Sequence, residues 1–248
     1  MTHKHPSPIS RRMIITGLGG SVFLAGCQTT DALGVLDGIV SGSGFASEAD
    51  AAAGIRAALN NGVGSAISTI GVRDGFLADN LIRIPLPGFL QDMQSSLSRL
   101  GLSGPLDNLA TQLNRGAESA VPAAQSIFVD AISGLSISDA LGIVNGGENA
   151  ATNLLRERTM PSLTNLFTPI MNDALQSAGA IQTFDQLSAR LNSIPLAPRL
   201  GQDAKSTLIS HGVEGGLNGM FTYIGREEAA IRSNPAKRTS EILRQVFG

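Results

Sequence analysis

Cysteine is nearly missing from this sequence: Cys27 stands alone among 248 residues. No internal disulfide and no thiolate metal cluster can form, so an exported form of this chain relies on its apolar core. Tryptophan is absent, tyrosine occurs once and aromatics total 4%. Ala and Leu must therefore do most of the packing, which favours close approach of helices. Histidine is scarce as well: His3 and His5 lie near the N-terminus, and His211 is the only other. A metal site of the His/Cys kind is excluded on these numbers. A hydrolytic triad has one histidine to build on and no Gly-x-Ser-x-Gly elbow. No Asp-rich calcium loop occurs, and the best dinucleotide-binding fragment, Gly62-Val63-Gly64, lacks a third glycine. No cofactor and no metal are expected.

Positive charge is thin beyond the first 26 residues. Of 18 basic residues, Lys4, Arg11 and Arg12 precede Gly26, whereas all 20 acidic ones follow it. The remainder carries 15 basic against 20 acidic groups, a formal −5, which argues against nucleic acid as a partner. Hydrophobic residues reach 42%, ordinary for a globular chain that buries a core in one domain or two small ones.

What is present begins with an export signal. Ser10-Arg11-Arg12 precedes a weakly apolar run from Met13 to Ala25 that is too short to cross a bilayer, which takes about 20 apolar residues. The arginine pair resembles a twin-arginine signal, although general-pathway leaders also begin with basic residues. Leu24-Ala25-Gly26-Cys27 resembles a lipoprotein box, in which cleavage before Cys27 leaves its thiol to carry lipid. Gln28, rather than Asp, follows the cysteine and favours the outer membrane. The expected organisation is a signal peptide over 1–26, a flexible Gly/Ser/Thr-rich tether over 27–46 and a helical domain over 47–248. The expected location is the periplasmic face of the cell envelope, with the membrane as a partner through the lipid.

Periodicity predicts an all-α domain: a multi-helix bundle with an extended Pro-containing strap and a long C-terminal helix. Ser47 or Asp50 starts a helix reaching about Gly71, with Ile55, Leu59, Val63, Ile67 and Ile70 at helical spacing. Pro85 and Pro87 forbid a helix over 74–87, so this stretch is a strap across helices or a hairpin edge. Helical runs follow over 88–100 and, from Pro105 to Ile132, with a kink or break at Pro122. Ser136 or Ser138 caps a short helix over 139–144. A turn over 145–152 feeds a helix ending near Met160, Pro161 opens the next up to Gly179, and another covers 181–194. After a loop with Pro195 and Pro198, a long helix spans 203–233. Asn234-Pro235 starts a last one to Phe247.

Several of these segments, Ile84-Pro85-Leu86-Pro87, Asn114-Arg115-Gly116-Ala117-Glu118, Phe128-Val129-Asp130-Ala131-Ile132, Gly146 through Thr152, Gly219-Met220-Phe221 and Val246-Phe247-Gly248, resemble in order a bacterial family called domain of unknown function 4197. The likeness runs from about Ser47 to the C-terminus. Gly116 stands where the family usually has Ala, and 208–212 is looser than its pattern. The resemblance implies an exported helical protein and supplies no activity.

The candidate polar site comprises Asn114, Arg115, Glu118, Asp130, Asp139, Gly146, Gly147, Thr152 and Glu227. By helical phase Asn114 flanks the buried stripe and Arg115 points away, as on a solvated face. Gly146-Gly147 before a helix start forms either a tight turn or an anion site with Arg156 and Arg158 beyond it; Glu148 and the lack of Lys favour the turn. His211 falls about 160° from the stripe set by Val213, Leu217, Met220, Ile224 and Ile231, hence toward solvent. Glu227 falls within about 40° of that stripe's centre, so either the stripe is uncovered there or Glu227 meets an arginine, as an unpaired buried charge is expensive. Gly212, Gly216 and Gly219 share one side, as close packing requires. The expected role is non-catalytic envelope binding or scaffolding, with an envelope protein or lipid as partner. A carrier of an apolar ligand is the alternative. An enzyme would need several of Asn114, Glu118, Asp130, Asp139, Glu148, Thr152 and Glu227 in one cleft.

Overall fold

The computed structural model describes residues 48–193 and 203–233. The leader, the tether, the Pro195/Pro198 loop and the expected final helix lie outside them. The described residues form α-helices and turns with no strand. In order they are α1 (Glu48–Ile70), α2 (Gly88–Ser98), α3 (Gly104–Ala120), a 3₁₀ turn (Val121–Ala124), α4 (Gln125–Ser133), α5 (Ile137–Asn145), α6 (Ala150–Ser177), α7 (Ala180–Asn192) and α8 (Ala204–Ser233). No single helix among them is long and apolar enough to cross a membrane.

Helix α8 is the hub: α1, α3 and α6 all pack against it, and α3 also packs along α6. Glycine is what lets the neighbours come close. A Cβ on Gly216 would stand 3.2 Å from Ala117 Cβ, and one on Gly219 would stand 2.5 Å from the Phe76 ring. The expectation from Gly212, Gly216 and Gly219 therefore holds. Phe76, Phe128, Phe167 and Phe221 are all buried, and the Phe128 and Phe221 rings meet edge to face at 5.8 Å. Few aromatics thus suffice, because these rings all belong to the one core.

Pro122 breaks the α3–α4 run as anticipated, through the 3₁₀ turn. Pro161 does not open a new helix: α6 runs unbroken over 28 residues with Pro161 and Pro169 inside. The reason lies in phase. Leu155, Thr159, Leu163, Phe167, Met171 and Leu175 form a buried stripe with four-residue spacing. Both prolines and the carbonyl-bearing residues four before them, Glu157 and Asn165, are exposed, so water can serve the two carbonyls that lack a donor. Packing on the other face carries the helix through.

The strap, residues 71–87, is not a hairpin edge. It winds through turns to Ile82, then runs extended through Pro85 and Pro87. Asp74 at its start has φ +68°, a conformation Asp tolerates better than most residues.

Candidate functional site

Asn114, Arg115 and Glu118 on α3 come together, and their common target is the strap. Asn114 is fully buried. Its Oδ1 accepts from the Ile84 N–H at 2.8 Å, and its Nδ2 donates to the carbonyls of Ile84 (2.9 Å) and Ala110 (2.8 Å). One side-chain amide thus mimics a strand partner for a segment that has none. Glu118, also buried, accepts from the N–H groups of Phe76 (3.1 Å) and Leu77 (3.2 Å). Arg115 bridges Glu118 (2.6 Å) and Asp74 (2.7 Å). The solvated-face expectation for Arg115, and the flanking position for Asn114, are corrected: the strap covers this side of α3. The two carboxylates hold the Arg115 pKa above its ordinary value, Glu118 first.

From the opposite side α8 grips the same strap. Tyr223 donates its hydroxyl to Asp79, and His211 Nε2 bonds the Pro85 carbonyl at 2.8 Å. His211 is half-buried against the strap rather than turned to solvent. The Tyr223 bond lowers the Asp79 pKa and raises that of Tyr223.

A second polar cluster lies at the start of α6. Asn149 occupies the N-cap position without a side-chain cap bond. Glu228 of α8 does the capping instead: Oε1 accepts from Ala151 N–H (3.1 Å), and Oε2 from Thr152 N–H (2.8 Å) and Thr152 Oγ1 (2.7 Å). Arg232 pairs with Glu228 at 2.7 Å and also donates to the Ile143 carbonyl at 2.7 Å. The buried acid of α8 is thus Glu228, not Glu227, which is half-buried. The error is one residue, or about 100°. It arises because α8 is enclosed on several sides and has no single apolar stripe. The same carboxylate occupies the helix start where an anion would sit, so Gly146-Gly147 is a turn, with Gly146 pressed against Ala150 and the Gly142 carbonyl.

Asp139 caps α5 in a reciprocal box with Ser136 and pairs with Arg158 at 2.7 Å. These bonds, Ser136 first, lower its pKa to about 2. Ser136, rather than Ser138, is the N-cap. Asp130 and Glu148 are exposed. The named polar groups therefore divide between the strap, the α6 start and the surface. They do not converge on one cleft, and Cys27, Arg11 and Arg12 lie outside the described residues.

What faces outward is a groove along α8. Beside the strap it is a hollow of about 270 Å³ lined by Arg83, His211, Glu214, Asn218 and Thr222, with Gly215 and Gly219 among its lining. Beyond Thr222 a second hollow, about 360 Å³, continues between α8 and the first turns of α6. Sequence phase had no means to find this groove, because it needs the strap and α6 as walls. Among the described residues no cluster of His, Cys, Asp and Glu could hold a metal ion.

No curated protein matches the chain, and no solved structure does. A family profile described as "Protein of unknown function (DUF4197)" matches residues 46–248. That match spans far more than half of the sequence, and the chain belongs to this family.

Proposed function

We propose that this chain is a lipid-anchored protein of the periplasmic face, favouring the outer membrane, and that it acts without catalysis, as an envelope binding or scaffolding protein working through the α8 groove. The observation that carries this reading is how the polar groups are spent. Asn114, Arg115, Glu118, Asp139 and Thr152 all hold the protein's own elements in place, whereas Arg83, Glu214, Asn218 and Thr222 stand exposed in the groove. The leader supplies the anchor: two or three acyl chains on Cys27, at about 0.8 kcal/mol per methylene, hold a protein firmly. A carrier of apolar ligands needs an enclosed cavity of roughly 300 Å³ or more. The apolar cavity between Ile55, Leu59, Ile143 and Ile231 holds about 30 Å³.

Two readouts test this. Cys27→Ser is expected to shift the protein from membranes to the soluble fraction; continued membrane retention contradicts the anchor. A photo-crosslinking residue at Thr222, inside the groove, is expected to give discrete adducts with envelope components that are absent when the probe sits at Asp130. Equal or absent labelling at the two positions contradicts the groove as the binding face.

A further inference from the structure

The two ends of the groove differ in charge. The hollow beyond Thr222 takes its lining from α6 (Asn149, Asn153, Arg156) and α8 (Thr222, Gly225, Arg226), and contains no Asp or Glu. In a chain with a formal net charge of −2, this is a local excess of positive charge. Among the described residues no carboxylate comes within ion-pair distance of Arg156 or Arg226. The nearby acids are occupied elsewhere. Glu228 is turned onto Ala151, Thr152 and Arg232, while Asp79 accepts from Tyr223 and from the Leu81 N–H and attracts Arg226 only from beyond ion-pair distance.

Both guanidinium groups are laid on aromatic rings. Arg156 lies 4.4 Å from the Phe221 centroid and Arg226 lies 5.1 Å from that of Tyr223. Stacking covers one face of a guanidinium and leaves its in-plane N–H donors available. Arg156 commits one donor, to Asn218 Oδ1 at 2.9 Å. Burial also lowers the pKa of Arg156, a sign of a cation partly stripped of water that an arriving anion would stabilise. Gly225 keeps the floor open: a Cβ there would stand 3.3 Å from Asn149 Oδ1 and 3.7 Å from Thr152 Oγ1.

We propose that this hollow binds a phosphate monoester dianion between Arg156 and Arg226. Two arginines in a lining that holds no acid match a dianion rather than a single carboxylate. A phosphate monoester carries about −1.5 to −2 charges at neutral pH and has three strong acceptor oxygens. The arginine fork suits such oxygens, and the side-chain amides of Asn149 and Asn153 supply further donors. The helix start contributes little, since Glu228 already occupies it. The proposal rests on the α8 groove being a binding face and assigns a ligand chemistry to one end of it.

The group could be carried by a soluble molecule or by a lipid headgroup, and two titrations of the purified full-length protein separate these. One uses inorganic phosphate at constant ionic strength. The other uses phosphatidylcholine vesicles with and without phosphatidic acid. Saturable binding is expected in at least one arm, weakened about tenfold or more by Arg156→Gln and by Arg226→Gln, as for loss of a charge-assisted bond. Binding of phosphate alone assigns a soluble ester, and binding of phosphatidic acid vesicles alone assigns a headgroup. Arg226 is exposed, so its substitution leaves the fold intact and provides a clean reading if Arg156→Gln unfolds. Tyr223 is the sole tyrosine and no tryptophan masks it, so displacement of Arg226 by a bound anion also changes tyrosine emission. No saturable binding in either arm, or binding that survives both substitutions, overturns the proposal. Adducts at Thr222 without phosphate binding would leave the groove standing and remove only this ligand.

Discussion

Glu118 and Glu228 are both buried, and they are built to one plan at two places. Each accepts from two consecutive backbone N–H groups of another element, Phe76 and Leu77 for one, Ala151 and Thr152 for the other. Each pairs with an arginine of its own helix, three residues before or four after it. That arginine in turn reaches one more group, Asp74 or the Ile143 carbonyl. The difference is redundancy. The strap is also held by Asn114, by Tyr223 through Asp79 and by His211 at Pro85, whereas the α6 start has one carboxylate and no side-chain cap of its own. A buried acid in this fold marks backbone that lacks a regular partner. How much the acid matters depends on what else shares the task.

That contrast sets an order of effects. Glu228→Ala leaves two helix N–H groups and the Thr152 hydroxyl without their acceptor and takes the carboxylate away from Arg232. Removing one member of a buried pair costs about 3 kcal/mol or more, so chemical denaturation is expected to show the largest loss here. A smaller loss than for Glu118→Ala would reverse the comparison. Asn114→Ala strands the Ile84 N–H and carbonyl in the core and is expected to cost about 2 kcal/mol. Its companion Asn114→Asp is expected to be at least as harmful, because a carboxylate would then face two carbonyl oxygens. Recovery of wild-type stability in Asn114→Asp would show that the strap can find another partner.

Two smaller effects follow from titration. The Asp139 pKa lies near 2 in the folded protein, below its unfolded value of about 3.9. Its contribution is therefore present above pH ~4 and lost as pH falls toward ~2. The melting-temperature gap between wild type and Asp139→Asn should narrow across that window; a constant gap contradicts the α5 cap. Tyr223 should titrate above the ordinary value of 10.0, because its hydroxyl donates to the Asp79 carboxylate. Absorbance titration reads this one tyrosine directly, and Asp79→Asn should bring the midpoint down. A wild-type midpoint at or below 10 would remove this link between strap and α8.

Much of the architecture was legible because apolar spacing survives wherever a helix has one buried face, as in α1 and the paired runs of α3 and α4. Pro85 and Pro87 announced the strap, and the α8 glycines announced close packing. Pro161 misled because proline weighs against a helix locally, while the stripe from Leu155 to Leu175 acts over the whole length of α6. Glu228 was invisible because a helix surrounded by α1, α3 and α6 buries residues at several phases. Of the candidate polar residues, Asn114, Arg115 and Glu118 were correctly grouped, since they are neighbours in sequence. Their purpose was not legible, because Ile84, Phe76 and Asp74 lie 30 to 42 positions away.

The polar residues of α3 are struts that hold the strap and so build one wall of the groove. Native-state amide hydrogen exchange, comparing wild type with Glu118→Ala and Asn114→Ala, tests it most directly. Phe76, Leu77 and Ile84 are expected to lose protection in the matching variant, while amides in the middle of α8 keep theirs. Unchanged protection at those three amides would contradict the account.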